Sequence, residues 1–176
     1  ITLARLEERK GHTLVLDAIK KLQIDYPNIL YLIAGEGPFK KTLQKKVESL
    51  GLEKNVKFLG WISEPDKSYY LKKSKIFIMT PHQVMESIEG FGMSYIDAAI
   101  HGVPVIASIS GGIKDAVHEG VNGMLIPEGN VLLLEKKIRE LLVNKILYDK
   151  ISKNAIDYSE DFIWKNKIKE YLSIIK

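Results

Sequence analysis

Short runs of β-branched or aliphatic residues recur along this chain, and each is followed by a segment whose apolar residues repeat at helical spacing. That alternation constrains the fold more than any other feature, because strands joined through helices pair in parallel, and helices then cover both faces of the sheet. The runs are Ile1 to Ala4, Ile29 to Ala34, Val56 to Leu59, Ile76 to Met79, Val103 to Ala107 and Gly123 to Ile126. Between the first two, Leu14, Val15, Ala18, Ile19 and Leu22 keep helical period until Tyr26-Pro27 stops them. A Lys-rich helix ends at Leu50, with Gly51 well placed for the left-handed C′ position. Ser63-Glu64-Pro65-Asp66 has the Ser-x-x-acid pattern and early proline of a helix start, and that helix runs to about Lys73. Further helices are expected from about Gly92 to Ile100 and from Val131 onward, where Leu134, Ile138, Leu141 and Leu142 recur at periods of three and four. The expectation is an α/β fold, a doubly wound Rossmann-like parallel sheet of about six strands flanked by helices. With 176 residues, 45% of them hydrophobic, the chain can bury a core as one domain over residues 1–176.

Sheets of this kind bind ligands outside the carboxyl ends of their strands. The loop after the first strand, Arg5-Leu6-Glu7-Glu8-Arg9-Lys10-Gly11, brings two or three cations to that edge. Arginine grips two phosphate oxygens through its planar fork and lysine adds a compact charge, so the loop is a candidate diphosphate clamp. The alternative is a solvated turn whose charges pair with Glu7 and Glu8. The longest irregular stretch, Thr80 to Glu89, follows the fourth strand and leads into Ser87-Ile88-Glu89-Gly90-Phe91-Gly92-Met93, just before a helix. Its glycines permit close backbone approach to a ligand, and free N–H groups at the helix start favour an anion. Glu89 lies just outside that helix and Asp97 one to two turns inside it. Carboxylates at these positions can accept hydrogen bonds from sugar or ribose hydroxyls, or simply complement the helix dipole and solvent.

Other classes find little support. The chain has no cysteine, which removes disulfides, thiolate chemistry and Cys-ligated zinc and points to a reducing compartment, with cytoplasm the default. The charge of +4 is spread among acids and does not demand nucleic acid. Gly35-Glu36-Gly37 lacks the last glycine of a dinucleotide fingerprint, and Asn122 stands where a zinc motif beginning at His118 requires a second histidine. No metal is expected. His12, His82, His101 and His118 read as surface or capping residues. Trp61, at the end of the third strand, is a candidate lining for a base pocket or a core aromatic. Trp164 to Lys176, with Ile168, Tyr171, Leu172 and Ile175, reads as an amphipathic docking segment. The opening at Ile1 without an initiator Met suggests a piece of a longer protein.

Taken together these pieces resemble the C-terminal, donor-binding domain of family 4 (group 1) retaining glycosyltransferases, one half of a GT-B enzyme. The resemblance runs in order through Ala4-Arg5-Leu6 to Lys10-Gly11, Ala34-Gly35-Glu36-Gly37-Pro38, Val56-Lys57-Phe58-Leu59-Gly60, Glu89-Gly90-Phe91-Gly92, Gly102-Val103-Pro104-Val105-Ile106, Gly111-Gly112 and Asn122-Gly123-Met124-Leu125. It implies a nucleoside diphosphate sugar as donor substrate, with Arg5 and Lys10 on its diphosphate. Glu89 and the Gly90-Phe91-Gly92-Met93 backbone then lie at the donor sugar, and Asp97 at the ribose. Arg5, Lys10 and Glu89 become the candidate catalytic residues. The family's second acid is normally Glu, so Asp97 is a departure, one methylene shorter. The resemblance further implies a glycan or lipid-linked saccharide acceptor, an N-terminal acceptor domain that this chain lacks, low turnover by the isolated domain, and peripheral association of the full-length enzyme with the inner face of a membrane. A non-catalytic nucleotide-sugar-binding module is the competing expectation.

Overall fold

The runs become six strands, β1 (Thr2–Leu3), β2 (Tyr31–Ala34), β3 (Val56–Gly60), β4 (Phe77–Met79), β5 (Val105–Ser108) and β6 (Gly123–Ile126). Among the described residues six α-helices accompany them: α1 (His12–Leu22), α2 (Lys40–Leu50), α3 (Glu64–Lys73), α4 (Met93–Ile100), α5 (Val131–Val143) and α6 (Lys145–Ser159). This computed structural model describes residues 1–87, 89–162, 168 and 172. The segment expected to be amphipathic therefore lies outside the described residues except for Ile168 and Leu172, which are exposed.

All strand pairs are parallel, in two ladders ordered β1-β2-β3 and β4-β5-β6. Strands β1 and β4 lie side by side where the ladders meet. The Ile78 N–H donates to the Ile1 carbonyl at 2.9 Å, and the Ile1 amino group donates to the Ile76 carbonyl at 2.9 Å. Across the molecule the order is thus β3-β2-β1-β4-β5-β6, and the direction of winding reverses between β1 and β4. At such a switch point ligands of doubly wound sheets bind outside the carboxyl ends of the strands, here β1 and β4.

The period-two alternation of side chains divides the core into two layers. Tyr31, Ile33, Ile78, Ile106, Met124 and Ile126 face a layer closed by α1 residues Val15, Leu16, Ile19 and Leu22 and by Leu134 and Ile138 of α5. Phe77, Met79, Val105 and Ala107 face the other layer, with Leu71 of α3 and Tyr95, Ile96 and Ala98 of α4. Strand β5 is buried at every position, as expected for a strand covered on both sides. Local caps set the helix ends. The Ser63 hydroxyl accepts from the Asp66 N–H ahead of α3, and Gly51 closes α2 in the left-handed conformation. The helical tract after Val131 is divided at Asn144, whose side chain accepts from the Leu147 N–H and starts a new helix. Periodicity alone carried no sign of that division, because the apolar spacing continues across it.

Candidate functional site

Three loops converge on the crevice between β1 and β4. The first is the basic turn after β1, where Glu8–Lys10 form a single 3₁₀ turn before Gly11 starts α1. The second is the long loop after β4. The two are stitched together along their backbones: His82 N–H donates to the Arg9 carbonyl at 2.9 Å, and Thr80 Oγ1 donates to the Gly11 carbonyl at 3.0 Å. Gly11 has φ +74°, and a side chain there would overlap the Thr80 carbonyl, so both backbone angle and close approach require glycine. The third loop follows β5 and carries Gly111-Gly112. The Gly112 N–H donates to the Glu89 carbonyl at 3.2 Å, and Gly111, at φ +54°, leaves room for that same carbonyl. The third glycine cluster is thus a cradle for the Glu89-Gly90 backbone.

Glu89 is the centre of the site. Its Oε2 accepts from Lys10 Nζ at 2.5 Å and from Arg9 Nη1 at 2.8 Å, with only 10% of the side chain exposed. Lys10 and Arg9 are themselves 12% and 23% exposed, so the cluster is largely withdrawn from water. Arg9 is also held by Glu7 at 3.0 Å. Opposite charges in such surroundings attract far more strongly than at the surface. Buried Tyr95 of α4 donates its hydroxyl to the Met79 carbonyl at 3.0 Å. Burial raises the pKa of that phenol well above its ordinary value, and the negative charge of Glu89 adds to the shift.

The structure brings some sequence-selected residues together and leaves others apart. Lys10 and Glu89 meet directly. Arg5 does not join them: its side chain is 75% exposed and pairs with Glu7 at 3.1 Å, the solvated-turn alternative. Arg9, read only as part of the charged loop, takes the inner position instead. The reason is the 3₁₀ turn, which folds residues 8–10 back toward β4 while Arg5 leaves the sheet edge. Asp97 pairs instead with Lys67 of α3 at 3.1 Å. Burial alone would lower the Lys67 pKa, but bonds to Glu64 and Asp97 outweigh it and the net shift is upward. Phe91 packs on Phe162 with ring centroids 5.4 Å apart. A side chain on Gly90 would meet nothing within 4 Å, so that backbone faces open space. Met93 and Trp61 are exposed, Trp61 at 78%, so Trp61 is not a core aromatic.

One histidine departs from expectation. His12 is the buried first residue of α1, not a surface residue, and its Nδ1 lies 3.2 Å from the Tyr31 hydroxyl. Burial pushes its pKa down to about 4, with the charge of Lys10 acting in the same direction and the Arg5 carbonyl opposing it. The only sequence signal was its position directly after Lys10-Gly11, where the first turn of α1 faces the sheet. Among the described residues no helix is long and apolar enough to cross a membrane.

Comparisons with known proteins bear on the family and the fold. Residues 1–158 match the profile described as Glycosyl transferases group 1. The GDP-mannose-dependent monoacylated α-(1-6)-phosphatidylinositol monomannoside mannosyltransferase of Corynebacterium glutamicum is 33% identical over 156 residues, covering 87% of this chain and 39% of that enzyme. Among solved structures, Anabaena HepE in complex with UDP and glucose superposes with a TM-score of 0.84 at 26% identity, over 98% of this chain and 47% of that one. The C-terminal domain of a group 1 glycosyltransferase, LpcC, from Francisella tularensis gives 0.77 at 26% identity, over 89% of this chain and 80% of that one. This chain spans less than half the length of the curated relatives it matches. A parallel sheet wound in two directions, its likeness to solved glycosyltransferases and a profile match over nine-tenths of its length place this chain in the group 1 glycosyltransferase family, on the GT-B fold.

Proposed function

We propose that this domain holds the diphosphate of a nucleoside diphosphate sugar in the crevice between β1 and β4. In this reading the whole protein transfers the sugar, with retention at the anomeric carbon, to a hydroxyl of a glycan or lipid-linked acceptor. The observation that carries it is the carboxylate of Glu89 held between Lys10 and Arg9, from loops 79 and 80 residues apart in sequence. Lys10, Arg9 and Arg5 face the two carboxylates of Glu89 and Glu7, so the cluster keeps net positive charge for an anion, and its cations can exchange a carboxylate for a phosphate oxygen. The leaving diphosphate gains negative charge as the glycosidic bond breaks, so preplaced cations and the amides ahead of α4 are worth most in the transition state. Counter-charge of this kind comes from side chains and needs no metal.

Lys10 then contacts the diphosphate, joined by Arg5, whose exposed side chain is free to swing from Glu7 onto the ligand. Glu89 and the backbone of Gly90 to Met93 lie at the donor sugar, Asp97 at the ribose, and Trp61 near the base. Asp97 reaches one methylene less far than Glu, which favours a water-bridged ribose contact. The reading makes this chain the C-terminal domain of a family 4 enzyme whose N-terminal domain supplies the acceptor site, working in the cytoplasm or at the inner face of a membrane. The Corynebacterium glutamicum relative is GDP-mannose-dependent and Anabaena HepE is also solved in complex with UDP-glucose, which supports the donor class. Calorimetric titration with nucleoside diphosphate sugars tests it. Arg5→Ala and Lys10→Ala should each weaken binding by about 1.5–3 kcal/mol, the usual worth of a charged hydrogen bond. Wild-type affinity in both variants would remove the clamp.

A further inference from the structure

Beneath the basic turn runs a chain of buried hydroxyl and imidazole groups, and one placement of hydrogens satisfies all three of its contacts together. Thr2 Oγ1 bonds the carbonyl of Ile78, and since a carbonyl only accepts, the threonine proton is spent there. Tyr31 Oη lies 2.7 Å from Thr2 Oγ1, so the tyrosine must donate its one proton to the threonine oxygen. His12 Nδ1 lies 3.2 Å from that same Tyr31 oxygen, which has no proton left to give, so the imidazole must be the donor. The chain therefore runs one way, from His12 Nδ1–H through Tyr31 and Thr2 to Ile78 on β4.

We propose that His12 is a positioning residue for Lys10, fixed as the Nδ1–H tautomer by this one-way chain. The neutral ring carries a single proton, and Nε2 is left as a bare acceptor. That atom is buried and has no hydrogen-bond partner. The start of α1 is thereby tied to the end of β4 twice, by the His12 chain and by Thr80 on the Gly11 carbonyl. Lys10 stands immediately before these anchors, so their geometry sets where its ammonium meets Glu89. Were the proton on Nε2 instead, it would turn toward the Arg5 carbonyl, and the anchor on β4 would be lost. The positioning role rests on the diphosphate-site reading; the direction of the proton chain does not.

Long-range ¹H–¹⁵N correlation on the ¹⁵N-labelled chain at pH 7 reads the tautomer directly, with His12 assigned by loss of its signal in His12→Gln. The expected result is a pyrrole-type Nδ1 and a pyridine-type Nε2; a proton on Nε2 in the wild type would overturn the proposal without any variant. Thr2→Val, close to isosteric, frees the Tyr31 proton to turn onto Nδ1, so the imidazole proton should move to Nε2, whereas Thr2→Ser should keep the wild-type pattern. An unchanged tautomer in folded Thr2→Val would overturn the chain. With inorganic pyrophosphate as the calorimetric probe, Thr2→Val should bind about fivefold more weakly and Thr2→Ser normally. A flipped tautomer with unchanged pyrophosphate affinity would overturn the positioning role alone. Absence of pyrophosphate binding by the wild type would sink that role together with the diphosphate-site reading and leave the proton direction standing.

Discussion

Glu89→Gln separates the two sides of the site, because it should weaken the fold while strengthening the grip on an anion. The carboxylate accepts charged bonds from Lys10 at 2.5 Å and Arg9 at 2.8 Å. Each such bond is worth roughly 1.5–3 kcal/mol when its partner is removed. The loss is smaller here, since the amide oxygen still accepts one bond and Arg9 keeps Glu7 at 3.0 Å. A net destabilisation of about 2 kcal/mol is expected, or roughly 4–8 °C in the melting temperature of a chain this size. The ligand side has the opposite sign. A carboxylate about 5 Å from a phosphate charge costs on the order of 3 kcal/mol at an effective dielectric near 20, and screening by salt reduces that to about 1–2 kcal/mol. Inorganic pyrophosphate should therefore bind about five to thirty times more tightly to Glu89→Gln, with a steeper dependence on salt. Differential scanning fluorimetry and isothermal titration calorimetry at two salt concentrations measure both effects. A variant that melts like the wild type, or binds pyrophosphate no better, would refute the argument that Glu89 competes with the anion for Lys10 and Arg9.

Three further outcomes follow from the geometry. His12 has a folded pKa of about 4 against 6.5 for the free side chain. The unfolded chain therefore takes up its proton first, and the stability held above pH 6.5 is lost as pH falls toward 4, by up to about 3 kcal/mol; urea unfolding of wild type and His12→Gln across that window should show the slope reduced in the variant. Gly111→Ala places a methyl group against the Glu89 carbonyl at φ +54°, whereas Gly120→Ala, at φ +71°, meets no atom within 4 Å. The first should cost more than the roughly 1–2 kcal/mol of backbone strain that both share and should also weaken donor binding, and equal melting temperatures would contradict the cradle. Lys67→Ala releases Asp97 from its 3.1 Å ion pair. Stability should change by less than about 1 kcal/mol, as for other partly exposed pairs, while affinity for nucleosides, read by calorimetry, should fall if Asp97 serves the ribose.

The sequence by itself determined the order and type of the elements. Apolar runs such as Val105–Ala107 and helical repeats such as Val15, Ile19 and Leu22 are local patterns, and burial on two faces admits few alternatives to them. It also marked the chemistry-bearing loops, because Gly11, Gly92 and Gly111-Gly112 stand where strand gives way to helix. Tertiary structure alone decided which charges meet. Arg5 and Arg9 are indistinguishable as letters, yet the 3₁₀ turn sends Arg9 inward to Glu89 and leaves Arg5 beside Glu7 in water. His12 likewise became a buried donor only because Tyr31 of β2 and Thr2 of β1 arrive beneath it. Periodicity is written along the chain within a few residues, whereas an ion pair or proton chain between segments tens of residues apart exists only once the strand order has placed β1 beside β4.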